Sequence, residues 1–381
     1  MAELKIVLSG YYGFDNVGDE AILFAIIQSL KEYHPGVNLT VLSNNPEKTA
    51  SSYQVDAVNR WNFNEVRKAI KESDCLISGG GSLLQDETGM KSISYYSGVM
   101  KIAQFLKKPV FIYAQGLGPV KSMINRKIMK HVLQASEVIT VRDKQSKRFL
   151  EEIGVTKSIQ LVPDPVMGID AEDFISGIAK SGDSGKRVIS VSIRKWTEDL
   201  SYLNKVAEGL DGLADNGHDI LMVPMHGKYD HETSVLVTGM MKNKVEIFPY
   251  DSSIQEKMAA VKDSDVLLGM RLHALIFASV GNTPFVALSY DPKIDSFAEI
   301  VDQKVLGNVS SDDWNHEDIV SSIEEILADY PKKIKQLNEN VVPLQKKAND
   351  TAKQVVEYIR TGAKVEKQRE YVVASPKTKN R

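Results

Sequence analysis

The sequence predicts an α/β protein of two Rossmann-like halves of similar size, each a largely parallel sheet covered by helices. Three observations predict it. Short apolar runs alternate with amphipathic segments of helical length. Nearly every apolar run ends in glycine or polar residues. The alternation stops once, at the Gly- and Ser-rich SGIAKSGDSGKR (176–187), and then restarts. Strands covered by helices on both faces read as unbroken apolar runs, and strand–helix–strand alternation marks βαβ crossovers.

In chain order, LKIVLSG (4–10) reads as a strand and is followed by a helix from about Asp19. Next come NLTVLS (38–43), a helix near 63–72, DCLISGG (74–80) and a helix near 93–107. PVFIYAQG (109–116), a helix near 122–134 and EVITVRD (137–143) complete the first half. After the pause, VISVSIR (188–194) leads into a helix near 199–216, then DILMVPM (219–225), VEIFPY (245–250), SDVLLGM (264–270) and PFVALSY (284–290). A last amphipathic helix, 331–361, has no partner strand and is expected to pack back on the first half. The expected division is 1–175 and 188–345 for the two α/β domains, 346–361 for a C-terminal helix and 362–381 for a disordered tail. That tail holds six Lys or Arg against two Glu, with little to bury.

With 381 residues, 43% of them hydrophobic, the chain can bury more than one core. Forty-seven Lys plus Arg against 50 Asp plus Glu give a net charge of −3. That balance lacks the basic excess of a nucleic-acid binder, so no such partner is expected. The single Cys75, in the apolar DCLIS, has no partner for an internal disulfide and reads as a small buried thiol in a reducing compartment. No N-terminal apolar segment precedes the first charges, and no apolar run reaches the roughly 18–20 residues that span a bilayer; a cytoplasmic protein is expected. No set of His, Cys or carboxylates has metal-ligand spacing, and neither G-x-x-x-x-G-K-[ST] nor G-x-S-x-G occurs. Neither a metal nor a bound cofactor is therefore expected.

The chemistry gathers where strands end. SGYYGFDNVGDE, SGGGSLLQDE, AQGLGP, VRD, PDP (163–165) and GMRLH all follow apolar runs. In doubly wound sheets ligands bind at the carboxyl ends of the strands, and glycine there lets a ligand approach the backbone. Gly80, Gly81 and Gln115 fall in these turns, although Gly-Gly-Gly is equally a tight turn. In GFDNVGDEA, Asp19 and Glu20 would lie in the first helical turn, opposing the positive end of the dipole. Two carboxylates are poor neighbours for phosphate, so Asn16 or Asp19 is expected to meet sugar hydroxyls; a plain N-cap at Asp19 is the alternative.

In GMRLHALIFASVG (269–281), Arg271 and His273 are two apart and would diverge by about 200° on a regular helix. Both can still border a cleft if Gly269 marks a strand-to-helix turn. Arg142 and Arg194 also fall at strand ends, one in each half. A surface ion pair is the commoner fate of a lone arginine. Three at strand ends suit a small anion with both carboxylate and phosphate, which a guanidinium fork matches.

Taken in order, GFDNVGDEAIL, SGGGSLLQD, AQGLGP, VRDKQS, PDPV, GMRLHALIFAS and YDPK resemble the polysaccharide pyruvyl transferase family over roughly residues 4–295. Within it, SGYYGFDNVGDEAIL, VNRWN and GGGSLLQDETGMKS resemble the CsaB-type bacterial enzymes that pyruvylate secondary cell wall polymers. The resemblance implies two domains facing across a cleft as in GT-B glycosyltransferases, the first on the acceptor side and the second on the donor side. It implies phosphoenolpyruvate as co-substrate and a 4,6-linked pyruvate ketal on N-acetylmannosamine of a lipid-diphosphate-linked precursor. On it, Arg142, Arg194, Arg271 and Lys293, with Gly269 at the turn, would hold the donor, and His273 would be the general acid or a cationic phosphate ligand. Asn16 and Asp19, with the Gly80, Gly81 and Gln115 turns, would meet the acceptor, and Asp164 would orient or deprotonate a hydroxyl. The basic tail, outside these motifs, is a candidate contact with the inner membrane face. A glycosyltransferase or sugar-nucleotide epimerase of the same architecture is the rival; a non-catalytic polymer-binding module would need exposed aromatic platforms, which 7% aromatic content barely suggests.

Overall fold

The computed structural model describes residues 4–86, 91–172, 174–176 and 186–362. The chain divides into two compact units: the first runs through Ile169 and resumes at Leu344, and the second runs from Asp170 to Pro343.

The first unit is built on seven parallel strands: β1 (Leu4–Ser9), β2 (Val37–Ser43), β3 (Asp56–Asn59), β4 (Cys75–Gly79), β5 (Val110–Gln115), β6 (Val138–Val141) and β7 (Ile159–Leu161). Their spatial order is β3-β2-β1-β4-β5-β6-β7. The intervening helices are α1 (Val17–Tyr33), α2 (Pro46–Tyr53), α3 (Phe63–Glu72), α4 (Lys91–Phe105), α5 (Met123–Gln134) and α6 (Lys144–Glu152). Every residue of β4 and β5 is buried, as the apolar runs require, whereas the edge strand β3 is half exposed. Cys75 lies in β4, and burial pushes its thiol pKa well above the ordinary range.

The second unit repeats the plan with six strands in the order β10-β9-β8-β11-β12-β13. They are β8 (Val188–Ser192), β9 (Asp219–Met222), β10 (Glu246–Ile247), β11 (Val266–Gly269), β12 (Phe285–Ser289) and β13 (Lys304–Asn308). Its helices are α7 (Ser201–Asp215), α8 (Gly227–Met240), α9 (Ile254–Lys262), α10 (Leu272–Val280), α11 (Pro292–Ile300) and α12 (His316–Ala328). VEIFPY gives only the two-residue β10: Phe248 still donates its N–H to Met222, but Pro249 has no N–H to continue the ladder.

The long α13 (Tyr330–Thr361) carries Pro343 within it and passes from the second unit to the first at that point. Beyond it, Leu344, Ala348, Ala352, Val355 and Val356 are buried in the first unit, Ser29 bonds Asn349 at 3.0 Å, and the Tyr358 hydroxyl donates to Glu137 at 2.8 Å. Residues 170–172 and 174–175, expected in the first domain, go with the second. The Lys262 ammonium donates to the carbonyls of Ala171, Glu172 and Phe174 at 2.8–3.0 Å and ties that segment down. Most of the expected linker, 177–185, and all of the basic tail after Gly362 lie outside the described residues. Among the described residues no helix is long and apolar enough to cross a membrane.

Candidate functional site

In each sheet the strand order reverses direction once, between β1 and β4 in the first and between β8 and β11 in the second. Such a switch point opens a crevice at the carboxyl ends of the strands, because the loops on either side leave in opposite directions. The sequence-expected residues cluster around both.

In the second unit, Arg271 is the N-cap of α10 and His273 lies in its first turn, both partly exposed, directly after β11. Gly269, proposed as a donor contact, ends β11 in the buried interior, where a Cβ would come within 2.5 Å of Leu275; its bareness serves packing against α10. The Arg271 fork is already engaged. Nε donates to Asp230 Oδ2 at 3.0 Å, Nη2 donates to Oδ1, and Asp230, wholly buried on α8, also accepts the Met225 N–H at 3.2 Å. A guanidinium held on its Nε edge is fixed in orientation and leaves Nη1 outside the clamp.

Arg194 follows β8. Its guanidinium lies 5.0 Å from the Trp196 ring and 5.1 Å from the Tyr290 ring, donates from Nη1 to the Tyr290 hydroxyl at 3.3 Å, and keeps a buried Nε without a partner. Lys293, paired with Asp291 at 3.1 Å, lies 6.0 Å from the same Tyr290 ring. His226, the N-cap residue of α8 after β9, joins this group. Desolvation pushes its pKa below the ordinary value, and the Arg271, Arg194 and Lys257 cations push the same way against the single carboxylate of Asp230. Three cations and one carboxylate thus act on this imidazole, Arg271 being itself paired with Asp230. The sequence pattern gave no role to His226 or Asp230; the signal was their spacing of four residues in HGKYD, on the same face of a helix.

In the first unit, Asn16 is the N-cap of α1, its Oδ1 accepting the Gly18 N–H at 3.0 Å. The capping alternative for Asp19 is thus corrected: the helix starts earlier, and Asp19 stands partly exposed in its first turn. Glu20, buried beside it, accepts from the Gly13 N–H at 2.7 Å and the Tyr53 hydroxyl at 2.8 Å, and desolvation raises its pKa. Gly80 and Gly81 are buried with φ of +26° and +73°; a Cβ on the first would collide with Ile22 of α1, and on the second would lie 2.5 Å from Asp19 Oδ1. The glycines let α1 approach β4. Gln115 is fully buried, its amide donating to the Ser78 carbonyl and hydroxyl at 3.1 and 2.8 Å. It braces β4 against β5 and does not reach the surface, a correction to its expected acceptor contact. Arg142, after β6, donates to Asp164 at 2.8 Å and to the Ser82 hydroxyl at 3.2 Å. Asp164 is itself buried and caps the turn Pro165–Gly168. Arg142 and Asp164 are brought together in this unit, whereas Arg194, Arg271, His273 and Lys293 belong to the other.

The motif VNRWN, without a site role in the sequence pattern, supplies Arg60 and Trp61. Arg60, buried after β3, sits amid the rings of Phe14, Trp61, Tyr95 and Tyr96 at 4.3–5.4 Å and donates to the Gly10 carbonyl at 2.8 Å. Trp61 stays 62% exposed, its indole N–H fixed to Asn44 at 2.9 Å, and Tyr11 stacks on Phe14 at 4.0 Å. That fixed, open indole face, linked through Asn44 to the Gly13 carbonyl, is an aromatic platform of the kind the composition barely suggested.

Solved structures resemble this fold along nearly its whole length. A UDP-N-acetylglucosamine 2-epimerase from Listeria monocytogenes, given as putative, superposes with a TM-score of 0.66 at 12% identity, covering 98% of this chain and 100% of that one. A glycosyltransferase from Rickettsia africae gives 0.64 at 13%, covering 95% and 100%. Anabaena HepE in complex with UDP-glucose gives 0.62 at 12%, covering 94% and 100%. At such identities the likeness is one of fold, the two-sheet architecture of GT-B epimerases and glycosyltransferases. No curated protein sequence matches the chain. The model of the family described as polysaccharide pyruvyl transferase matches residues 16–292, from the α1 cap past the α10 crevice to the start of α11, and the chain belongs to that family.

Proposed function

We propose that the protein is a CsaB-type pyruvyltransferase of secondary cell wall polymers, acting at the cytoplasmic face of the membrane. It transfers pyruvate from phosphoenolpyruvate to N-acetylmannosamine of a lipid-diphosphate-linked precursor as a 4,6-ketal, releasing phosphate. Family membership supports the reaction class, and the motifs GFDNVGDEAIL, VNRWN and GGGSLLQDETGMKS support the subtype. The observation that carries the donor is the placing of Arg194, with a buried unpartnered Nε, and of Arg271, whose Nη1 lies outside the Asp230 clamp, on the turns after β8 and β11 at the second switch point. A donor that carries a carboxylate and a phosphate on one carbon suits such a pair of guanidiniums.

In this reading Arg194 and Arg271 bind the two anionic groups and Lys293 adds charge. His273 gives a proton to the donor's methylene carbon, the double-bond electrons form the new C–H bond, and the neighbouring carbon becomes cationic. A sugar hydroxyl adds there and loses its proton. The phosphate then leaves with the electron pair of its C–O bond, and the second hydroxyl adds to the cation and loses its proton. Of the two hydroxyl protons, one replaces that given to the methyl and one departs with phosphate. Asn16, Asp19 and the open face of Trp61 receive the acceptor sugar.

The test is to incubate the purified protein with phosphoenolpyruvate and a lipid-diphosphate disaccharide bearing N-acetylmannosamine, following phosphate release and the acceptor's mass. The expected result is phosphate release that needs both substrates, with one pyruvate ketal gained per acceptor. Turnover of a UDP-sugar with no dependence on phosphoenolpyruvate would instead establish the glycosyltransferase or epimerase reading.

A further inference from the structure

We infer that the α4–α5 face of the first unit is a docking surface for the headgroups of an anionic lipid bilayer. The two helices lie side by side, with the Gln104 amide of α4 donating to the Val132 carbonyl of α5 at 2.8 Å. Between them runs a groove of about 450 Å³ whose floor includes Gly98 and Ile128 and whose rim carries Lys101, Lys127 and His131. Met123 and Ile124, at the start of α5, are 65% and 71% exposed, and Phe105, at the end of α4, is 84% exposed. Large apolar side chains left this bare on one face are a mark of a surface that something covers.

The charge around them says what. Residues 91–136 contain eight Lys or Arg and no Asp or Glu, in a chain whose net charge is −3; of the eight, Lys101 and Lys127 line the groove, whereas Lys108 donates to the Ser73 carbonyl and Arg126 to the Val120 carbonyl. The nearest acid before them in the described chain, Asp86, spends its carboxylate on the backbone N–H groups of Lys121 and Ser122 at 3.0 Å. Apolar side chains that can enter the acyl boundary, flanked by cations with no interleaved acids, form the pattern of an interfacial membrane contact. A nucleic acid would leave the three apolar side chains in contact with nothing of their kind. Met123 and Ile124 also follow the loop that leaves the carboxyl end of β5, the same sheet edge that carries Asn16, Asp19 and Asp164. The surface goes beyond the pyruvyl-transfer reading and does not depend on it.

Sedimentation of the full chain with vesicles tests this, comparing phosphatidylglycerol mixed with phosphatidylcholine against phosphatidylcholine alone. The wild type is expected to bind the anionic vesicles and to lose that binding as salt is raised. Each neutralised cation near the surface is worth roughly fivefold in partitioning. Lys101→Gln/Lys127→Gln should therefore weaken binding about 25-fold, and Met123→Ser/Ile124→Ser should weaken it at fixed salt. Both variants change exposed or rim positions and should keep the wild-type thermal midpoint. Equal wild-type binding to both vesicle types, or variants that bind as the wild type does, would overturn the inference, the second outcome assigning the contact to another segment such as 363–381. Since neither donor nor acceptor sugar is in the assay, its failure is distinct from a failure of pyruvyl transfer.

Discussion

Replacing Asp230 with Asn tests whether the Arg271 clamp organises the donor crevice. Asp230 is wholly buried, and its two oxygens accept Arg271 Nε at 3.0 Å, Arg271 Nη2, and the Met225 N–H at 3.2 Å. The amide keeps one acceptor oxygen but loses the charge, and its NH2 then faces donors it cannot pair with. Breaking a buried pair costs about 3–5 kcal/mol. The oxygen that remains offsets part of that, leaving about 3 kcal/mol, which lowers the unfolding midpoint of a unit this size by roughly 6–12 °C. An unclamped Arg271 also loses its fixed aim. If it binds the donor, kcat/KM for phosphoenolpyruvate should fall about 10- to 100-fold at a temperature where the variant is fully folded, each tenfold being about 1.4 kcal/mol. Arg271→Lys, which keeps the charge but not the fork, should cause a similar fall. The double variant should lose little more than either alone, because both remove one unit of structure. Wild-type kcat/KM in Asp230→Asn, or strictly additive losses in the double variant, would refute the clamp as a device for donor binding.

Three further outcomes are expected. His226 has a folded pKa below its unfolded value of about 6.5, so as pH falls the unfolded chain takes up the proton first and stability declines; His226→Gln should flatten the midpoint-against-pH curve below about pH 7, and an unchanged slope would place the titration elsewhere. Gly81→Ala combines a φ of +73° with a Cβ 2.5 Å from Asp19 Oδ1, and should cost about 2–4 kcal/mol in chemical denaturation. His273→Ala should lower turnover by roughly 10²–10⁴-fold with donor KM little changed; a raised KM with turnover intact would make His273 a phosphate ligand instead of an acid.

What the sequence revealed of this protein was what neighbouring residues decide together. The unbroken apolar runs at 75–79 and 110–115 specify buried parallel strands, and both are buried throughout. Edge strands escape this logic: Asp56–Asn59 and Lys304–Asn308 are wet on one side and read as polar. Gln115 misleads for the opposite reason, a polar residue at a strand end whose amide turns inward to Ser78, 37 residues earlier. The site follows the same division. Arg271 and His273 were visible as cations in a strand-to-helix turn because glycine, strand end and helix start are adjacent in the chain. Asp230 lies 41 residues before Arg271, and Arg60 lies 50 residues after Gly10, so only the folded sheets disclose those partners. These hidden partners alter the chemistry. A free guanidinium offers its Nε–Nη2 fork to any carboxylate, including a wrong one; Arg271 has that edge occupied by Asp230. What remains is the Nη1 side, a donor of fixed direction in a crevice where Arg194 holds an unpartnered Nε and the His226 pKa is lowered by burial and then by its cationic neighbours. Protonation of the imidazole is opposed by the same cations that an incoming anion neutralises, so donor binding should raise the His226 pKa and couple the site's proton affinity to its occupancy.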